Sequence, residues 1–191
     1  MKFKNTQDDY IFTKLIDDED MNTRLVNRIA DAGDEVYRIT NVKADTTLGH
    51  YHELYPEFRK LADIIEDFCR ESSIEMNMDF ENHHHRVSMP AWKEGYIDSL
   101  KVNNMWGIRA ESGEITQPHN HWPSTWAFCY YIDPPQGCSN LVFPTIGTEV
   151  EIENGKLVIF QGHLIHEAVQ KEFEGDRFSV AGTVVFSGGG Y

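Results

Sequence analysis

Basic charge is scarce in this chain: 17 lysines and arginines stand against 31 aspartates and glutamates, a formal net charge of −14. Such a surface repels phosphate backbones and anionic lipid, so generic nucleic-acid binding and membrane association are not expected. Cysteine is scarce too. Cys69, Cys129 and Cys138 are odd in number and lack paired-ligand spacing, which argues against a disulfide framework and for a reducing compartment. No apolar run reaches the length of a membrane span, and the opening Met1-Lys2-Phe3-Lys4-Asn5 has no apolar h-region behind it. These absences predict a cytoplasmic protein, and 191 residues suffice for one well-buried core but hardly for two domains. The acidic cluster Asp17-Asp18-Glu19-Asp20 reads as solvated surface.

Turn-forming glycine is sparse over residues 1–80, where helical periodicity dominates. Asp20 to Ala30 predicts a capped helix with Leu25 and Ile29 on one face, ending near Gly33. From Pro56, the spacing of Phe58, Leu61, Ile64, Ile65 and Phe68 predicts a second helix with one buried face. After a polar loop around His83-His84-His85, strand-like runs follow at Lys101 to Arg109, Trp126 to Ile132, Asn140 to Phe143, Leu157 to Phe160 and Phe178 to Phe186. Glycines and prolines punctuate them, and Asn154-Gly155 predicts a hairpin. The predicted fold is mainly β with flanking α-helices, a double-stranded β-helix of the jelly-roll, cupin-like kind, with a largely helical support over 1–80 and a core over 98–186 in one domain.

Within that pattern, Gln117-Pro118-His119-Asn120-His121 carries the chemistry. On a strand, His119 and His121 project to the same side, so two imidazoles can share one metal. A third candidate follows the apolar run Leu157 to Phe160 at His166, with His163 as its competitor three residues earlier. Histidine suits iron, zinc, copper and nickel alike, so the ligands do not choose the metal. The tract His83-His84-His85 reads as surface.

The stretch His119-Asn120-His121-Trp122-Pro123, followed by the strand Trp126 to Tyr131, resembles the Fe(II)- and 2-oxoglutarate-dependent oxygenases, in particular a branch of phage and marine bacterial genomes with a His-x-His-Pro-like motif. Val158-Ile159-Phe160 followed by His166, then Arg177-Phe178-Ser179, is similar to the family's distal element. The segment Thr40 to Ala44 extends the resemblance, which spans about residues 40–186. It implies Fe(II) held by His119, His121 and His166. It also implies 2-oxoglutarate anchored by Arg177 and Ser179, with Tyr130 or Tyr131 adding a hydroxyl; parity with Phe128 favours Tyr130. An Arg fork suits a carboxylate bidentately, and a hydroxyl beside it donates another bond. The implied activity is hydroxylation of a small molecule or protein side chain, coupled to oxidative decarboxylation of 2-oxoglutarate to succinate, in a host cytoplasm if the origin is phage. Most relatives carry Asp or Glu where this chain has His121, and a neutral third ligand leaves the metal more positive.

Two other readings share the architecture. Gly113 and His119-x-His121 match the first cupin motif, with His166 in the second, although Thr125 and Trp126 stand where cupins supply glutamate. A non-catalytic jelly-roll binding module, with Cys129 or Cys138 closing a structural metal site, is the third. Trp106, Trp122 and Trp126 are candidates to line the substrate mouth.

Overall fold

The computed structural model describes residues 2–4, 9–32, 41–84 and 97–187, with side chains over 9–32, 41–76 and 97–187. Two antiparallel sheets face each other. The larger contains seven strands in the order β1 (Lys2–Lys4), β2 (Tyr10–Leu15), β9 (Lys156–Gln161), β6 (Trp126–Ile132), β11 (Arg177–Phe186), β4 (Leu100–Ala110) and β3 (Asp45–Thr46). The smaller has four: β5 (Thr116–His119), β10 (His166–Ala168), β7 (Leu141–Phe143) and β8 (Thr148–Val150). This is the jelly-roll expected from the strand pattern.

Among the described residues three α-helices complete it: α1 (Glu19–Ala30), α2 (Tyr51–Leu54) and α3 (Pro56–His84). Asp18 caps α1 by accepting from the Met21 amide at 3.0 Å, which satisfies one of the orphan donors of the first turn. Leu25 and Ile29 of α1, with Phe58, Leu61, Ile65 and Cys69 of α3, pack on one face of the large sheet against Trp126, Phe128, Tyr130, Leu157 and Ile159. Each such apolar side chain contributes about 1.5–3 kcal/mol by leaving water. The other face carries Ile11, Ala127, Val158 and Phe160 against Leu141, Phe143 and Val150 of the small sheet. The large sheet is thus buried on both faces, and its central strands read as unbroken apolar runs.

Three local expectations change. Residues 1–80 are not helical throughout, because β2 joins the large sheet beside β9, with Ile11 opposite Phe160 and Thr13 opposite Val158. The predicted loop around His83-His84-His85 is helix at its first two residues: α3 continues through His84, and His85 lies outside the described residues. Asn154-Gly155 makes a corner rather than a hairpin, since β8 pairs with β7 in the small sheet while β9 pairs with β2 and β6 in the large one. Gly155 has φ +73°, and a Cβ there would meet the Ile16 carbonyl oxygen at 2.2 Å, so the corner requires glycine. Among the described residues, no helix is long and apolar enough to cross a membrane.

Candidate metal centre

The site lies between the two sheets, and the strand ends of β5 and β10 build it. β5 is the edge of the small sheet, where Pro118 costs no ladder bond. The strand stops at His119, two residues short of His121, so the i, i+2 pair does not share one strand. His121 is brought back by a turn instead: its amide donates to the Gly162 carbonyl at 2.8 Å, and its carbonyl accepts from the Ser124 amide at 2.8 Å. Gly162 is needed there, because a Cβ would stand 2.0 Å from the Ser124 carbonyl oxygen.

His119, His121 and His166 converge so that their ligating nitrogens all lie within 4.8 Å of one another. Among the described residues no cysteine or carboxylate joins this group. The orientation of two rings is set by backbone: His119 Nδ1 donates to the Gln117 carbonyl at 2.9 Å and His166 Nδ1 to the Leu164 carbonyl at 3.1 Å. A carbonyl can only accept, so the proton sits on Nδ1 and Nε2 carries the free lone pair, the arrangement that ligating histidines require. Burial, with the neighbouring imidazoles, lowers the pKa of His121 to about 4 and that of His166 to about 3; burial also lowers that of His119. Three neutral, pre-oriented nitrogen donors fit a divalent transition metal. His163 is not part of the group. Its Nε2 faces Asp9 Oδ1 at 3.1 Å, on the outer side of β9's end.

The histidines open onto a cavity lined also by Trp106, Tyr131, Cys129, Arg177 and Ser179 among others. Arg177 and Ser179 share one face of β11, and Ser179 is in register with Tyr131 of β6. Arg177 is 6% exposed. Its Nε has no hydrogen-bond partner, its Nη1 reaches only the Ser139 carbonyl at 3.5 Å, and no ion pair satisfies it among the described residues. Burial pushes the Cys129 thiol up to about 11 and raises the Tyr131 phenol well above its usual range, so both stay neutral beside the guanidinium. A buried cation lacking a counter-charge is costly, and the cavity in front of it suits a carboxylate.

Two candidates from the sequence fall elsewhere. Tyr130 points to the helical side of the large sheet, where its hydroxyl donates to Asn22 Oδ1 at 2.6 Å; Tyr131, of opposite parity, lines the cavity. Parity with Phe128 was the correct link and the wrong face, since Phe128 packs on the helices. Trp126 likewise lies in the helical core and donates from Nε1 to Ser73 Oγ at 3.0 Å. Trp106 does line the cavity, and Trp122 is 73% exposed. Val42, from the segment that extended the resemblance, is buried in the cavity wall through a bridge to Thr116.

No family model matches the sequence, and no curated protein matches it. Solved structures do resemble it. The viral collagen prolyl hydroxylase vCPH of Paramecium Bursaria Chlorella virus-1, in its 2OG complex, superposes with TM-score 0.53 at 12% identity, covering 91% of this chain and 95% of that one. A prolyl hydroxylase of Trichoplax adhaerens, in complex with a hypoxia inducible factor oxygen degradation domain peptide fragment, gives 0.57 at 13% identity, covering 95% and 84%. OsALKBH1 gives 0.63 at 11% identity, covering 96% and 99%. At these identities the likeness is one of fold, and this chain folds as these hydroxylases and OsALKBH1 do, on a jelly-roll of two facing sheets.

Proposed function

We propose that the protein is an Fe(II)- and 2-oxoglutarate-dependent dioxygenase that hydroxylates a small molecule or a protein side chain. The observation that carries this reading is Arg177, a buried guanidinium with an unpartnered Nε in the same cavity as three converging histidines. His119, His121 and His166 would hold the metal through nitrogen. Arg177 would receive the far carboxylate of 2-oxoglutarate, with Ser179 and Tyr131 offering hydroxyls from adjacent strands. With the metal and 2-oxoglutarate bound, O₂ would be the oxidant: one of its oxygen atoms would enter succinate as 2-oxoglutarate loses CO₂, and the other would enter the substrate C–H bond to give C–OH.

The chain's own contribution is arrangement. The backbone carbonyls of Gln117 and Leu164 keep two imidazoles in the ligating tautomer. Val42, Ile108, Leu141 and Ala181 give the cavity apolar walls that exclude water from the reacting groups. The likeness of fold to a hydroxylase in its 2OG complex supports the cosubstrate. The peptide in the Trichoplax complex is that protein's ligand and supports a side-chain substrate only by analogy of fold.

Calorimetric titration of 2-oxoglutarate into metal-loaded protein tests the reading. Binding that weakens about 10–100-fold in Arg177→Met supports it, that being the loss of a bidentate charge-assisted contact. Metal binding without any response to 2-oxoglutarate would favour a cupin-like metalloenzyme, which the all-histidine ligand set also suits.

A further inference from the structure

We propose that the primary substrate is itself an acid, which brings one negative charge beside the metal and is received by the indole N–H of Trp106. This rests on the metal- and 2-oxoglutarate-dependent reading and deepens it. The first observation is the charge of the cavity. A divalent ion held by His119, His121 and His166 keeps both its charges, because imidazole ligands bind in the neutral form. Arg177 adds a third positive charge. Among the described residues that line the cavity one is acidic, Glu167. It is half-buried between the buried His166 and Ala168 of β10 and in register with Val142, so its side chain alternates away from theirs. 2-Oxoglutarate brings two negative charges, so one positive charge stays uncompensated between apolar walls. With a carboxylate at position 121 that excess would vanish.

The second observation is independent of charge. Trp106 lines the same cavity, with its ring centroid 6.2 Å from that of His121, and its buried Nε1–H has no acceptor. Indole nitrogen can only donate. A buried donor without a partner and a residual positive charge next to it call for the same thing, an anionic oxygen. The negative exterior does not prevent this, since exposed charges are screened beyond about 8 Å at physiological ionic strength.

The test uses the full chain loaded with Co(II) and 2-oxoglutarate, whose visible d–d bands report that both are bound. Acetate serves as the acidic probe and acetamide as its neutral isostere, both followed by calorimetry. Acetate should bind at least about tenfold more tightly than acetamide. Trp106→Phe should remove about tenfold of acetate affinity and leave that of 2-oxoglutarate unchanged, and His121→Asp should abolish the preference for acetate. Equal affinities of acetate and acetamide, in wild type whose bands show both ligands in place, would overturn the inference while leaving the cosubstrate reading intact. Tight chloride binding at the metal that acetate cannot match would also overturn it, by assigning the charge to an inorganic co-ligand. Absence of any band change with 2-oxoglutarate would remove the reading beneath and the inference with it.

Discussion

His166 and His119 are register partners across the ladder of β10 and β5, with ring centroids 4.3 Å apart. Two of the three proposed ligands are therefore positioned by sheet pairing, and the third, His121, by a turn anchored on Gly162. His166→Ala should lower metal affinity by more than the 10–100-fold that loss of a supporting hydrogen bond costs. Competition with a chelating dye measures it; unchanged affinity would remove His166 from the ligand set.

Arg177→Met separates binding from folding. The guanidinium has no counter-charge among the described residues, so its replacement by an apolar chain of similar reach should leave the melting temperature equal or higher. The extra stability that 2-oxoglutarate confers on the wild type should be lost. Thermal melts with and without 2-oxoglutarate check both halves.

The two adjacent tyrosines should give opposite phenotypes. Tyr130→Phe breaks the bond to Asn22 and should cost about 1 kcal/mol of stability with cosubstrate affinity intact. Tyr131→Phe should change cosubstrate affinity, its hydroxyl being on the cavity side, where it bonds the Cys129 thiol. Denaturant unfolding and calorimetry distinguish them.

That pair also shows what the sequence makes legible. Trp126 to Ile132 is visible as a strand because it is apolar throughout, but a strand buried on both faces has no alternation, so nothing local says which face holds the helices. His119 and His121 are legible from spacing and residue type, whereas His166, Arg177 and Ser179 are picked out by the resemblance to the oxygenases, and the structure brings all five to one cavity. β2 was not, because Tyr10-Ile11-Phe12 is a short run whose partner β9 lies far along the chain. The Asn154-Gly155 corner was misread because a turn signal records backbone conformation and not the sheet to which the next strand belongs.

Acid should destabilise the metal-free protein. The folded-state pKa values of His121, about 4, and His166, about 3, lie below the ordinary value of 6.5, so the unfolded chain binds more protons between these limits. Stability is therefore full above about pH 6.5, falls progressively below it, and the loss is complete once pH has passed about 4 and 3. Melting temperatures at neutral pH and near pH 5 should differ by several degrees, and His166→Phe should narrow the difference. A flat profile in the wild type would contradict the burial of these imidazoles.

Gly162→Ala should disturb the centre without touching a ligand. Its Cβ would overlap the Ser124 carbonyl, so the turn that carries His121 must shift, at about 1–3 kcal/mol. Metal affinity should fall together with stability. A variant as stable as wild type, with full metal affinity, would show that the turn does not position His121.

On the proposed reading, three histidines and an arginine with an unpartnered Nε form a single cofactor site. Anaerobic addition of Fe(II) and then 2-oxoglutarate to the metal-free protein tests it most directly, through the visible charge-transfer band of an Fe(II)–2-oxo acid chelate. The band should appear in the wild type, be absent in His166→Ala, and require much higher 2-oxoglutarate in Arg177→Met. Tight iron binding with no band at any 2-oxoglutarate concentration would contradict the account.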